Sequence, residues 1–154
     1  MITLDRLLCP VDFSSPAHYA MGYALNLAKE FNATLMLLHV VEPSPAVSFL
    51  LPCTGDEQLL MEVPTAQSEA RLSALVDEVR SQGIVAESRL AEGLAHREII
   101  ELARTWQADM IVIGTHGRTG LTHALMGSTA EKVVMKARCP VLTVRPPGHT
   151  FTMP

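Results

Sequence analysis

The sequence predicts one α/β domain in three layers, a mainly parallel five-stranded sheet with helices on both faces. Three observations predict it. Short, almost unbroken apolar runs recur along the chain, as expected of strands covered on both sides. Stretches with apolar residues at helical spacing separate them, which implies right-handed crossovers between parallel strands. The composition, 48% hydrophobic, 18% charged and 5% aromatic over 154 residues, is that of an aliphatic α/β domain. A chain of this length buries roughly two thirds of its unfolded surface without a disulfide or metal staple.

Leu4 to Val11 is the first strand, with Leu7, Leu8, Cys9 and Val11 nearly continuous. Ser14-Ser15-Pro16 then supplies a helix cap and a proline for the first turn, and Ala17, Ala20, Met21, Ala24, Leu25 and Ala28 mark one face of a helix that stops near Asn32. Thr34 to Val41 is a second strand. From Glu42 to Pro64 the pattern fails: Pro43, Pro45, Pro52 and Pro64 argue against a long regular element, and Phe49, Leu50 and Leu51 suit a short turn or flap. Loops this long in compact domains serve as lids or partner surfaces, and residues 42–64 are expected to do the same.

Thr65 to Gln82 is a second helix, with Leu72, Leu75, Val76 and Val79 on one stripe and Gly83 as its stop. Ile84 to Leu90 alternates polar and apolar residues, which suits an edge strand. Leu94 to Trp106 is a third helix, carrying Ile99, Leu102, Ala103 and Trp106 at core spacing. Met110 to Ile113 is the fourth strand, a last helix runs to Arg138, and Val141 to Val144 is the fifth strand. No internal repeat or second domain is present, so the domain is expected to span 1–146, with 147–154 as a C-terminal tail.

A net charge of -4 argues against nucleic acid held on a basic surface. No apolar run approaches the ~18 residues of a membrane span, and the N-terminus lacks a signal core. A cytoplasmic location without membrane insertion is the expectation. Cys9, Cys53 and Cys139 show no C-x-x-C spacing, so neither a disulfide framework nor a zinc site is indicated. Cys9 and Cys139 read as buried thiols and Cys53 as a loop residue. His18, His39, His96 and His149 lack ligand spacing and read as surface or core fillers.

Chemistry concentrates between Gly114 and Ser128. A strand ending on Gly114, a loop with four glycines and a helix opening on Ser128-Thr129 would aim several backbone N–H groups at one point, reinforced by the helix dipole. That arrangement suits phosphate. Ser128 with Glu131 also matches a capping box, so Ser128 has two possible jobs, structural cap and ligand contact.

The spacing Gly114-x2-Gly117-x9-Gly127-Ser128, with GTHGRTG, the closing CPVLTVRP and the opening LLCPVDFS, resembles the ATP-binding signature of the universal stress protein family. The likeness runs over nearly the whole chain, as far as Arg145. It implies an adenine nucleotide alpha hydrolase-like fold with strand order 3-2-1-4-5, which sets strands one and four side by side and the ligand beyond their carboxyl ends. It carries Pro10, Val11 and Asp12 over to the nucleotide site, with Pro10 near the ribose and Asp12 near the base, and sets the backbone of Val40 against adenine. Ile113 joins the nucleotide site at the end of strand four, Gly114 and Gly117 map onto ribose and phosphate contacts, and Gly127, Ser128 and Thr129 form the phosphate-facing helix start.

His116, Arg118 and His123 lie in the loop and could answer phosphate charge, Arg118 best because its fork fits phosphate oxygens. Each of these residues also has a plainer reading. Asp12 could cap the first helix, Val40 could be ordinary core, Gly117 could serve only a positive φ, and Arg118 could be solvated. The chain departs from the family pattern at Gly93-Leu94-Ala95, where a proline is expected near the third helix start.

The resemblance implies ATP, ADP or AMP as ligand, with Mg2+ aided by Asp12 or Ser128, and a homodimer paired through Val141–Val144 and ended by Pro146-Pro147. It also implies a client protein of unknown identity. Nucleotide occupancy would switch conformation or partner choice, with at most slow hydrolysis, because no G-x-x-x-x-G-K-[ST] lysine or aligned base is present. An adenylyl-transfer enzyme would carry a Ser-Gly-Gly or His-x-Gly-His motif where this chain has Pro10 to Ser14. A phosphoacceptor receiver would need an Asp near Leu90-Ala91-Glu92 and a Lys near Arg145-Pro146. A nucleotide-independent dimeric interaction module is the remaining alternative.

Overall fold

The computed structural model describes residues 1, 3–43, 57–116 and 126–147. Strands and helices alternate as β1 (Arg6–Pro10), α1 (Ser15–Phe31), β2 (Thr34–Val41), α2 (Glu57–Ser81), β3 (Ala86–Glu92), α3 (Ala95–Thr105), β4 (Met110–Gly114), α4 (Ser128–Lys136) and β5 (Val141–Val144). All the pairings are parallel and the strand order is β3-β2-β1-β4-β5. Leu7 pairs with both Leu35 and Met110, which makes β1 the centre of the sheet.

The apolar runs of the strands divide between two cores because successive side chains point to opposite faces. Leu7 and Cys9, Leu35 and Leu37, and Val112 pack on the face covered by α1 and α2. Leu8, Met36, Leu38, Ile111 and Ile113 pack on the other, against Ile99 and Ala103 of α3 and Ala130 and Val133 of α4. Small residues let α1 lie close to the sheet, with Ala17, Ala20, Ala24 and Ala28 all buried. Its N-cap is Ser14 and its C-cap is Asn32, left-handed at φ 53°. At the amino end of the sheet, Asp109 Oδ2 accepts the N–H groups of Asp5 and Arg6, each at 2.8 Å, and ties β1 to the start of β4.

Several boundaries differ from expectation, most of them by one or two residues. Helix α2 begins at Glu57, not Thr65, and continues across Pro64. A proline inside a helix lacks the N–H of its place in the ladder and crowds the carbonyl one turn back, a cost the longer helix bears, so the last proline of the segment is not the boundary. Strand β3 is displaced to Ala86–Glu92, because its length is set by pairing with β2 from Leu35↔Ala86 to Val41↔Glu92. It keeps the expected edge position. Helix α3 ends at Thr105, leaving Trp106 as its C-cap.

Cys9 is fully buried and desolvation pushes its thiol up to about 12, while Cys139 is partly buried and raised for the same first reason. Among the described residues, no helix is long and apolar enough to cross a membrane. The expected flap at Phe49–Leu51 and most of the lid at 42–64, with Cys53, Gly117, Arg118, His123, His149 and residues 148–154 of the tail, lie outside the described residues.

Candidate functional site

After β1 the chain builds outward through β2 to β3, then returns across the sheet to β4 and β5, so the direction reverses between β1 and β4. Helices leave the two strands on opposite faces, and a crevice opens at their carboxyl ends. A cleft of about 770 Å³ lies there. Pro10, Val11 and Asp12 enter it from the end of β1, Val40 from β2, Ile113, Gly114 and His116 from β4, and Gly127, Ser128 and Thr129 from α4. Ten of the thirteen residues singled out in the sequence thus border one hollow, Gly117, Arg118 and His123 being outside the described residues.

The loop after β1 is held by its own polar groups. Asp12 Oδ1 accepts the N–H of Ser14 at 3.0 Å and also its hydroxyl, while Ser14 Oγ accepts the N–H of Ala17 at 3.3 Å. Ser14 is therefore the cap of α1, and Asp12 orients it. Between them Phe13 has φ 62°, a left-handed backbone that costs a bulky residue of order 1–3 kcal/mol. Its ring lies 4.5 Å from that of His39, centroid to centroid. Arg71 Cζ stands 4.0 Å from the Phe13 centroid. His39 is buried, and its Nδ1 donates to the carbonyl of Val11 at 2.8 Å.

At the other side, Thr115 continues the β4 ladder, its N–H donating to the Val144 carbonyl at 3.0 Å. Its carbonyl accepts the N–H of Gly127 at 2.6 Å, closing the two ends of the glycine loop. Thr115 Oγ1 and His116 Nδ1 are 2.9 Å apart, and both residues are buried. Gly114 has a packing reason of its own, since a Cβ there would lie 3.1 Å from the Pro16 carbonyl oxygen in the first turn of α1. The close pass of β4 beneath α1 favours a residue without a side chain, since a Cβ would press the Pro16 carbonyl aside by a few tenths of an ångström.

The expected capping box is not formed. Helix α4 has Gly127 at its N-cap and no side-chain cap, so Ser128 is already the first helical residue. Glu131 donates its N–H to the Gly127 carbonyl at 2.9 Å, but the N–H groups of Ser128, Thr129 and Ala130 meet no acceptor among the described residues. The start of α3 differs. Its Ala95 N–H donates to Glu42 Oε1 at 2.8 Å, a carboxylate from the end of β2.

Glu42, His39, Thr115 and the α2 residues Gln67, Ser68 and Arg71 also line the cleft and were not legible as site residues. Gln67, Ser68 and Arg71 lie one turn apart on a helix whose polar face reads as solvated, and only the packing of α2 over β2 and β3 brings them in. Among the described residues no three His, Cys, Asp or Glu side chains converge as a metal site would require.

Residues 3–145 match the model of the universal stress protein family. The chain is similar to the universal stress protein MJ0531 of Methanocaldococcus jannaschii, 37% identical over 142 residues that cover 92% of this chain and 82% of that protein. Its fold resembles the solved structure of MJ0577 from the same organism, with a TM-score of 0.84, 26% identity and coverage of 96% of this chain and 99% of that one. It also resembles a universal stress protein from Archaeoglobus fulgidus in complex with dAMP, with a TM-score of 0.62, 24% identity and coverage of 93% and 98%.

Proposed function

The chain belongs to the universal stress protein family, and from that premise we propose that the cleft at the ends of β1 and β4 binds an adenine nucleotide, ATP foremost, whose occupancy switches the protein's conformation or partner choice. The observation that carries the reading is the start of α4. Three successive backbone N–H groups, at Ser128, Thr129 and Ala130, face a cleft with no protein acceptor among the described residues, at the positive end of a helix dipole. Phosphate oxygens are the acceptors such a site fits. The exposed hydroxyl of Ser128 and the half-buried one of Thr129 add side-chain donors beside them.

The apolar side chains of Val40, Ile113 and Pro10 supply surface for a base and ribose toward β1 and β2, and a hollow of about 770 Å³ is within the usual range for small-molecule sites. The dAMP complex of the Archaeoglobus relative supports an adenine nucleotide as the ligand class. Mg2+ fits as an ion carried by the phosphates, with Asp12 or Ser128 offering one oxygen each. Turnover would be slow at most, because the cleft's carboxylates already serve the fold: Asp12 holds Ser14, and Glu42 holds α3. The cytoplasm, where ATP is abundant, is the compartment this reading fits.

Among the described residues strand β5 pairs only with β4, and pairing of Val141–Val144 with a second copy would cover the other edge in a homodimer. Calorimetric titration of ATP with Mg2+ into the parent chain and Gly127→Val tests the reading. Saturable binding by the parent, weakened at least about tenfold when a branched side chain crowds the amides, is expected. Identical isotherms, or none for the parent, would refute it.

A further inference from the structure

The wall of the cleft opposite α4 is made by α2, and the side chain that stands out on it is Arg71. Its guanidinium lies over the Phe13 ring, with Cζ 4.0 Å from the centroid, and makes no ion pair among the described residues. It borders the cleft and also a neighbouring groove of about 600 Å³ between α1 and α2, so it stands at the junction of two hollows. Phe13 beneath it has the left-handed backbone described above, and the His39 ring and the Asp12–Ser14 turn hold it there. Strained non-glycine conformations persist where the surroundings fix them, and ligand clamps are among the places they gather.

The position of α2 decides which end of a nucleotide Arg71 would meet. The open amides belong to α4, which packs beside α3 over the β4 side of the sheet, whereas α2 covers β2 and β3. Phosphates held at α4 leave the base on the β1–β2 side, next to α2. We propose that Arg71 is a specificity-determining residue of this cleft, its guanidinium held over Phe13 as the planar surface on which the purine base lies, an inference that rests on the nucleotide reading above. A guanidinium stacks on π-faces and offers donors along its edge, which a lysine ammonium cannot reproduce. Gln67 and Ser68, one turn earlier, lie within the same wall to meet the edge of the base.

The test compares the parent chain, Arg71→Gln and Arg71→Lys for ATP, AMP, adenosine and UTP, by calorimetry or by competition for weak ligands. Arg71 is exposed, so both variants should fold, which thermal unfolding checks. Arg71→Gln is expected to weaken all three adenine ligands by a similar factor, about tenfold, and to narrow the preference for ATP over UTP. Arg71→Lys should lose nearly as much. Unchanged affinities in Arg71→Gln, full retention by Arg71→Lys, or a loss that grows from adenosine to AMP to ATP would overturn the inference, the last because it would mark a phosphate contact. A parent that binds none of these ligands overturns the nucleotide reading together with it, whereas a parent that binds as well as Arg71→Gln overturns this inference alone.

Discussion

Helices α3 and α4 begin side by side at the same cleft, and their first turns are finished in opposite ways. Helix α3 receives an anion from the chain itself, the Glu42 carboxylate on the Ala95 N–H at 2.8 Å. Helix α4 has a glycine at its N-cap, no side-chain cap, and three amides without an acceptor among the described residues. The same orphan N–H groups and the same dipole exist at both ends, so the difference lies in what the chain supplies. An end that the protein caps is a structural feature, and an end left open toward a cleft is where an outside anion gains most.

The largest expected effect comes from closing the open end without disturbing its helix. Proline is well tolerated at the first helical position, so Ser128→Pro removes one amide and one hydroxyl from the cleft while α4 keeps its hydrogen bonds. ATP affinity should fall by about tenfold to a hundredfold, the worth of one or two hydrogen bonds to a charged group, with little change in thermal unfolding. Parental affinity in this variant would show that the amides are not used.

A smaller effect is expected at the end that is already filled. Glu42→Ala removes the cap of α3 and should cost about 1 kcal/mol of stability in denaturant unfolding. ATP affinity should hold or rise a few-fold at low salt, because an anion has left the cleft wall. A collapse of ATP binding in Glu42→Ala would move the anion site from α4 to α3.

The smallest effect is electrostatic and local. His96, in the first turn of α3, has its pKa held below the ordinary 6.5, first by desolvation and then by Lys132, Lys136 and Arg97, with Glu42 opposing them. A depressed folded value means that the unfolded chain binds more protons at mildly acidic pH. Stability from this group is therefore complete above pH 6.5 and declines as pH falls from there toward the folded value. Glu42→Ala should lower the His96 pKa further, read by NMR titration of the imidazole. A rise would show that the Glu42 carboxylate does not face it.

The layers of the fold were legible because they rest on local pattern. The apolar runs of β1, β2 and β4 and the Ala-rich face of α1 carry their burial in their own spacing, and Ser14 and Asn32 mark the ends of α1 as chemistry predicts. The strand order came from the family resemblance, since spacing alone does not order strands. What escaped was set by distant partners. Glu42 caps a helix 53 residues further on, Arg71 meets Phe13 across two elements, and β3 takes its length from β2. The Ser128-x-x-Glu131 pattern misled for a different reason: a capping box is defined by residue types, and one residue of displacement makes Gly127 the cap and Ser128 part of the helix.

The difference between the two helix starts can be observed amide by amide. In a 15N-labelled sample titrated with ATP and Mg2+, the N–H signals of Ser128, Thr129 and Ala130 should move most among the two first turns, saturably and with one affinity, while that of Ala95 moves little. Shifts concentrated at Ala95, or none at Ser128 to Ala130 at saturating nucleotide, would contradict the claim that α4 is the end left open for phosphate.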